Sequence, residues 1–213
     1  MELGLYFVEM RRGGIRSRTM KPVKINPLVK TVLRWLSRLS FKPQSFSLAC
    51  AVQESEKVLI CMPTDVDGFA MARDLLLDFI RMFRPREVYV LLPFLEGADY
   101  LSDSSDYRVV VVGKSDLGLF SLPRRGIVEK LGKLRLGMSL DLDLANGFFC
   151  RYLCFKCRIP LRIGPRSRGA FPLYNVQLAP ARSQSGPREA YEAMAQTLKS
   201  LFSVGYKSAS GRA

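Results

Sequence analysis

From Lys57 to Gly164 the sequence alternates short apolar runs with longer amphipathic ones, and this restricts the fold more than any other feature. The runs "KVLICMP" (57–63), "EVYVLLP" (87–93), "YRVVVVG" (107–113), "MSLDLDL" (138–144) and "PLRIG" (160–164) have strand length and are rich in Val, Ile and Leu. Between the first two, residues 65–83 place Phe69, Ala72, Leu76, Phe79, Ile80 and Phe83 on one helical side. Residues 123–135 predict a helix weakened by Gly126 and Gly132, and residues 146–158 predict one with an Asn cap. Strands alternating with helices predict an α/β fold: one open, mostly parallel sheet with helices on both faces and right-handed crossovers.

The flanks differ in character. Residues 1–26 are basic and broken by Gly13, Gly14 and Pro22, which reads as an arm. Residues 27–39 predict a basic amphipathic helix, with Leu28, Val32, Leu33, Leu36 and Leu39 forming its stripe and Lys30, Arg34 and Arg38 off it. Such a helix lies on a membrane surface or docks on the following domain, and docking is the commoner outcome. Residues 42–56 read as a linker, and residues 188–202 as a last amphipathic helix before a polar tail. The expected division is therefore 1–56 for arm, helix and linker, 57–180 for the α/β domain, and 181–213 for the terminal helix and tail.

The formal net charge is +14, and residues 11–42 hold ten Lys and Arg and no acid. That bias suits an anionic partner such as nucleic acid, anionic lipid headgroups or a phosphorylated sugar; the alternative is a solvated basic tail. The chain has no histidine. Ser-His and Cys-His nucleophile schemes are excluded, and any catalytic base is Asp, Glu, Lys, Tyr or Cys. No apolar run approaches the roughly 18 residues that cross a bilayer. The N-terminus does not read as a signal peptide, so a cytoplasmic location is expected. Five cysteines without a secretion signal do not suggest a disulfide framework.

Four motifs bear on chemistry. Cys150, Cys154 and Cys157 have the C-x3-C-x2-C spacing of radical S-adenosylmethionine enzymes. They fall too late for a barrel, however, and the residue before the third cysteine is Lys156 where that family carries an aromatic residue. On a helix they are i, i+4 and i+7, one apolar face, so core packing is expected and neither a cluster nor another metal site is. "VGKSD" (112–116) has Arg108 where a phosphate-binding loop needs its first glycine, and no dinucleotide fingerprint occurs, so no cofactor is implied. "LDLDL" (140–144) places Asp141 and Asp143 on one side of a strand, which reads as a strand end opening onto a ligand crevice rather than a metal–nucleotide site. "PTDVDGF" (63–69) joins the first strand to its helix, a usual ligand site in open α/β sheets. Asp65 or Asp67 there caps the helix or, for Asp67, acts as a general base towards a hydroxyl.

From Lys57 to Leu178 the chain resembles the N-terminal domain of glycosyltransferase family 9, the ADP-heptose:lipopolysaccharide heptosyltransferases. Three stretches carry the likeness: residues 57–93, residues 138–164 with "DLDLANGFFCRYLCFKCRIPLRIG" (141–164), and "YNVQL" (174–178). The resemblance implies a Rossmann-like domain forming half of a GT-B arrangement and a role in lipopolysaccharide or envelope glycan assembly. It implies an inverting displacement in which the family's loop aspartate, the candidate base, falls on Asp67. Val66 and Arg73 stand where the family has glycine and proline. The acceptor groove would be formed by Thr64 and Asp65 beside Asp67, bordered by Asn146 and Gly147, and the acceptor would be an anionic glycolipid at the inner membrane face. The family's donor domain has no counterpart in the 35 residues after Leu178. The expectation is a chain that is catalytically incomplete alone, completed by a donor-domain partner or non-catalytic. The alternative is a non-enzymatic module whose basic arm binds nucleic acid or an acidic partner.

Overall fold

The computed structural model describes residues 26–40, 47–83, 86–93, 101, 104–145, 147–167, 172–179 and 186–209. The arm expected over residues 1–26 therefore falls outside it except for Asn26.

Six strands form one all-parallel sheet: β1 (Lys57–Cys61), β2 (Glu87–Leu92), β3 (Arg108–Val111), β4 (Met138–Asp141), β5 (Leu161–Pro165) and β6 (Val176–Leu178). Their order is β3-β2-β1-β4-β5-β6. Val58 of β1 stands opposite Val88 of β2 and Met138 of β4, which fixes the register at the centre. The sixth strand lies within "YNVQL" and is too short at three residues to show a period.

Helices cover both faces of this Rossmann-like α/β fold. On one side lie α2 (Leu48–Gln53), α3 (Val66–Asp74), α4 (Leu76–Met82) and α7 (Pro187–Ala209), packed on Val58, Ile60, Val88, Val90 and Leu140. On the other lie α1 (Pro27–Ser40), α5 (Arg125–Lys133) and α6 (Phe149–Lys156), packed on Leu59, Cys61, Tyr89, Leu91 and Val110. Alternate residues of β1 thus enter opposite cores, which is why Val58 to Cys61 are all apolar and show no polar face.

Four local expectations change. Residues 65–83 form two helices, because Leu75 takes a ψ near zero and its carbonyl accepts from both Asp78 and Phe79. The stretch expected as a linker contains α2, capped by Ser47 and tied to β2 by Arg86, which donates to the carbonyls of Val52 (2.7 Å) and Ser55 (2.8 Å). Helix α6 starts at Phe149, after Phe148, which makes no side-chain cap; it does not start from an Asn cap. Finally, α1 docks on the domain through Val29, Leu33 and buried Ser37, while Leu28, Val32, Leu36 and Leu39 of its expected stripe are exposed.

The terminal helix α7 is integral to the core. Tyr191, Met194, Leu198 and Phe202 are buried, and the Phe202 ring meets Phe83 edge-on at 5.3 Å. Helices α5 and α6 are both followed by an arginine in the left-handed region, Arg135 (φ 53°) and Arg158 (φ 55°). No glycine announces either stop, although this is the position glycine usually takes.

Candidate functional site

The chain runs outward from β1 through β2 to β3, returns to β4 on the other side of β1, and continues outward to β6. Leaving β1 it passes to α3 on one face; leaving β4 it passes to α6 on the other. The two exits diverge at the carboxyl ends of β1 and β4, the topological switch point, where open α/β sheets form the crevice that binds ligands.

Two buried carboxylates form its floor. Asp141 ends β4; it accepts from the Tyr174 hydroxyl at 2.5 Å and from the Asp143 backbone N–H at 3.0 Å. Burial, then the neighbouring charge of Asp143, pushes its carboxyl up to about 7, against the Tyr174 and backbone hydrogen bonds. Asp143 is only 1% exposed and accepts from the Thr64 hydroxyl at 3.0 Å. Its other oxygen, Oδ1, has no hydrogen-bond partner among the described residues. Burial raises the Asp143 carboxyl, and the Thr64 hydroxyl and the N–H groups of Gly147 and Ala145 oppose the rise.

The residues named by sequence fall around this floor in different roles. Thr64 is buried and bonded to Asp143. Asp65 caps α3, accepting from the Gly68 N–H at 2.7 Å. Asp67 sits in the first turn of α3 and is exposed. Gly147 approaches so closely that a Cβ there would lie 2.0 Å from the Asp143 carboxylate. Asn146 lies outside the described residues.

Cations line the other wall. Arg151 of α6 is 1% exposed and donates to Ser167 Oγ at 3.1 Å, and its guanidinium lies 5.5 Å from the centre of the Phe148 ring. Arg34 of α1 lies over the same ring at 5.9 Å, with its Nε buried and without a partner among the described residues. Lys30, one turn earlier, is lowered by burial and then by Arg151 and Arg34, with Asp143 pulling the other way. Arg34 is lowered by burial and by Arg151 and Arg38. Neither Lys30 nor Arg34 forms a salt bridge with a described residue. Three cations crowd one wall, and a bound anion would relieve their mutual repulsion.

The cysteines belong to the layer beneath. Cys150 and Cys154 are buried on α6 and Cys157 half-buried, with Cys154 Sγ 3.7 Å from Cys61 Sγ of β1. Among the described residues no group of three or more Cys, Asp or Glu is arranged to hold a metal ion.

Sequence reasoning took Asp141 and Asp143 only as a strand end at a crevice and read Lys30 and Arg34 as a helix flank. It passed over Arg151 and Tyr174. For Arg151 a signal existed: it is a lone cation inside the apolar run "FFCRYLC" (148–154). Fold and site together define a Rossmann-like α/β protein with a polar crevice at its topological switch point. No family model, curated protein or solved structure matches the chain.

Proposed function

We propose that the chain is an acceptor-binding domain of the glycosyltransferase family 9 kind, holding an anionic glycan in the switch-point crevice. The observation that carries this reading is the wall of Lys30, Arg34 and Arg151 beside the buried Asp143 and Thr64. The cations suit a phosphate or carboxylate on the ligand, and the carboxylates suit its hydroxyls. In the catalytic version, Asp67 takes the acceptor hydroxyl's proton at the open lip of the crevice, and a separate donor domain presents the nucleotide sugar. A peripheral position at the inner membrane face belongs to the same reading, since glycolipid acceptors occur there.

Calorimetric titration with a sugar phosphate and with the corresponding neutral sugar tests the proposal. The phosphate should bind and the neutral sugar should not. Arg34→Ala should weaken binding roughly tenfold or more, the worth of a hydrogen bond to a charged group. Equal affinity for both sugars, or no change in Arg34→Ala, sinks the reading. Binding of single-stranded RNA that falls steeply with salt and is not displaced by the sugar phosphate favours the alternative, in which the basic arm holds nucleic acid.

A further inference from the structure

We propose that the outward face of α1 is a docking surface for an anionic lipid bilayer, inserted at the headgroup boundary. Among the described residues eight large apolar side chains are exposed, and five of them belong to this one helix: Leu28 (77%), Val32 (55%), Trp35 (60%), Leu36 (47%) and Leu39 (66%). The other three, Val66, Leu77 and Leu119, lie on separate elements. At about 100° per residue, the five α1 side chains fall within a sector about 100° wide. Val29, Leu33 and Ser37 occupy the adjoining sector and make the contact with the domain. The helix therefore rests on the domain through its less apolar face and presents its stronger one outward. Isolated exposed hydrophobes are ordinary on a protein surface, but a continuous apolar stripe marks an interaction site.

Charge identifies the occupant. Exposed Arg38 flanks the stripe, and residues 11–42 carry ten Lys and Arg and no acid. A second copy would bring another +14 chain and the same arginines against the stripe, at a repulsive cost. An anionic lipid surface supplies both complements: acyl chain ends for the leucines and negative headgroups for the arginines. Trp35 at the edge of the stripe suits the interface, where indole rings concentrate. Lys30 and Arg34, which lie over the crevice, are on the opposite side of the helix from the stripe, so bilayer docking leaves them on the domain.

The inference deepens the peripheral placement proposed above but does not depend on what occupies the crevice. Trp35 is the only tryptophan in the chain, so its fluorescence reports on α1 alone. The full chain is mixed with phosphatidylcholine vesicles containing about one-third phosphatidylglycerol, and with pure phosphatidylcholine vesicles, without sugar phosphate. With the anionic vesicles the protein should float with the lipid and the Trp35 emission should shift to the blue; with neutral vesicles both effects should be weak or missing. Leu39→Glu should abolish the shift, and Arg38→Ala should weaken vesicle binding about fivefold. Both positions are exposed, so neither variant should lower Tm. The proposal falls if anionic vesicles leave the Trp35 emission unchanged, or if Leu39→Glu binds them as well as the parent chain. It also falls if the blue shift appears without lipid and follows a dimer mass by light scattering, which would assign the stripe to a second copy. Sugar-phosphate titration without vesicles reads the crevice separately, so either proposal can fail while the other stands.

Discussion

Replacing Asp141 by asparagine should make the fold more stable at alkaline pH and leave it little changed at acid pH. Asp141 is 2% exposed, and its carboxyl is pushed from an ordinary 3.8 up to about 7 by burial and by Asp143. A carboxyl raised in the folded state binds its proton more tightly there than in the unfolded chain. Between the two values the native state holds the extra proton, so stability falls as pH rises through this window and levels off above it. At about 1.4 kcal/mol per pH unit, the full window amounts to on the order of 4 kcal/mol. The asparagine amide has no charge to bury, can still accept the Asp143 N–H, and can meet the Tyr174 hydroxyl. The substitution also removes a like charge from beside Asp143, whose own carboxyl is raised. Urea unfolding of both proteins, followed by far-UV circular dichroism, reads the effect of this carboxylate pair because the titrating groups away from it cancel in the difference. Relative to the parent, Asp141→Asn should gain about 3 kcal/mol between about pH 5 and about pH 8. An equal difference at both pH values, or a loss for the variant at the higher one, would refute the idea that Asp141 is held against its ionisation.

Two further outcomes follow from the packing. In Gly164→Ala the new methyl would fall 2.4 Å from Cζ of the buried Tyr174 ring, so a loss of about 1–3 kcal/mol and a lower Tm are expected; an unchanged melt would show that Tyr174 is free to move. Iodoacetamide under native conditions should label exposed Cys50 first and spare Cys61, Cys150 and Cys154 until the chain unfolds, since these are buried; hydrogen bonding with Cys150 and Cys154, then burial, raises the Cys61 thiol, and burial raises that of Cys150. Mass spectrometry after a short pulse reads the order, and early labelling of Cys154 would contradict its place under α6.

The elements that sequence conveyed are those whose own side chains decide them. The apolar runs in β1 and β2 could be recognised because a strand interior buried on both faces needs such side chains at successive positions. The break at Leu75 has no glycine or proline to announce it, and at the two left-handed stops the residue itself is arginine, Arg135 and Arg158, where glycine is usual. In the site, Thr64, Asp65 and Gly147 lie in turns next to strand ends, where position along the chain is enough to select them. The cap at Asp65 was one of two readings available from sequence, and the Gly68 N–H distance gives its geometry.

By itself, then, the sequence determined an α/β chain without histidine, strongly basic at its start, with carboxylates at the ends of its first and fourth strands. Local composition is sufficient for each of these. Only the tertiary structure decided that Thr64 meets Asp143 across 79 residues, that Lys30 and Arg34 of α1 lie over the same crevice as Arg151, and that the leucines of α1 face outward. Periodicity tells which side chains share a helix face. Which face a sheet covers depends on the helix's angle and position on that sheet, and this is set by the volumes of residues distant in the chain. The stripe of α1 shows the difference: the same leucines would be core if the helix were rotated by about a third of a turn, and here they are surface.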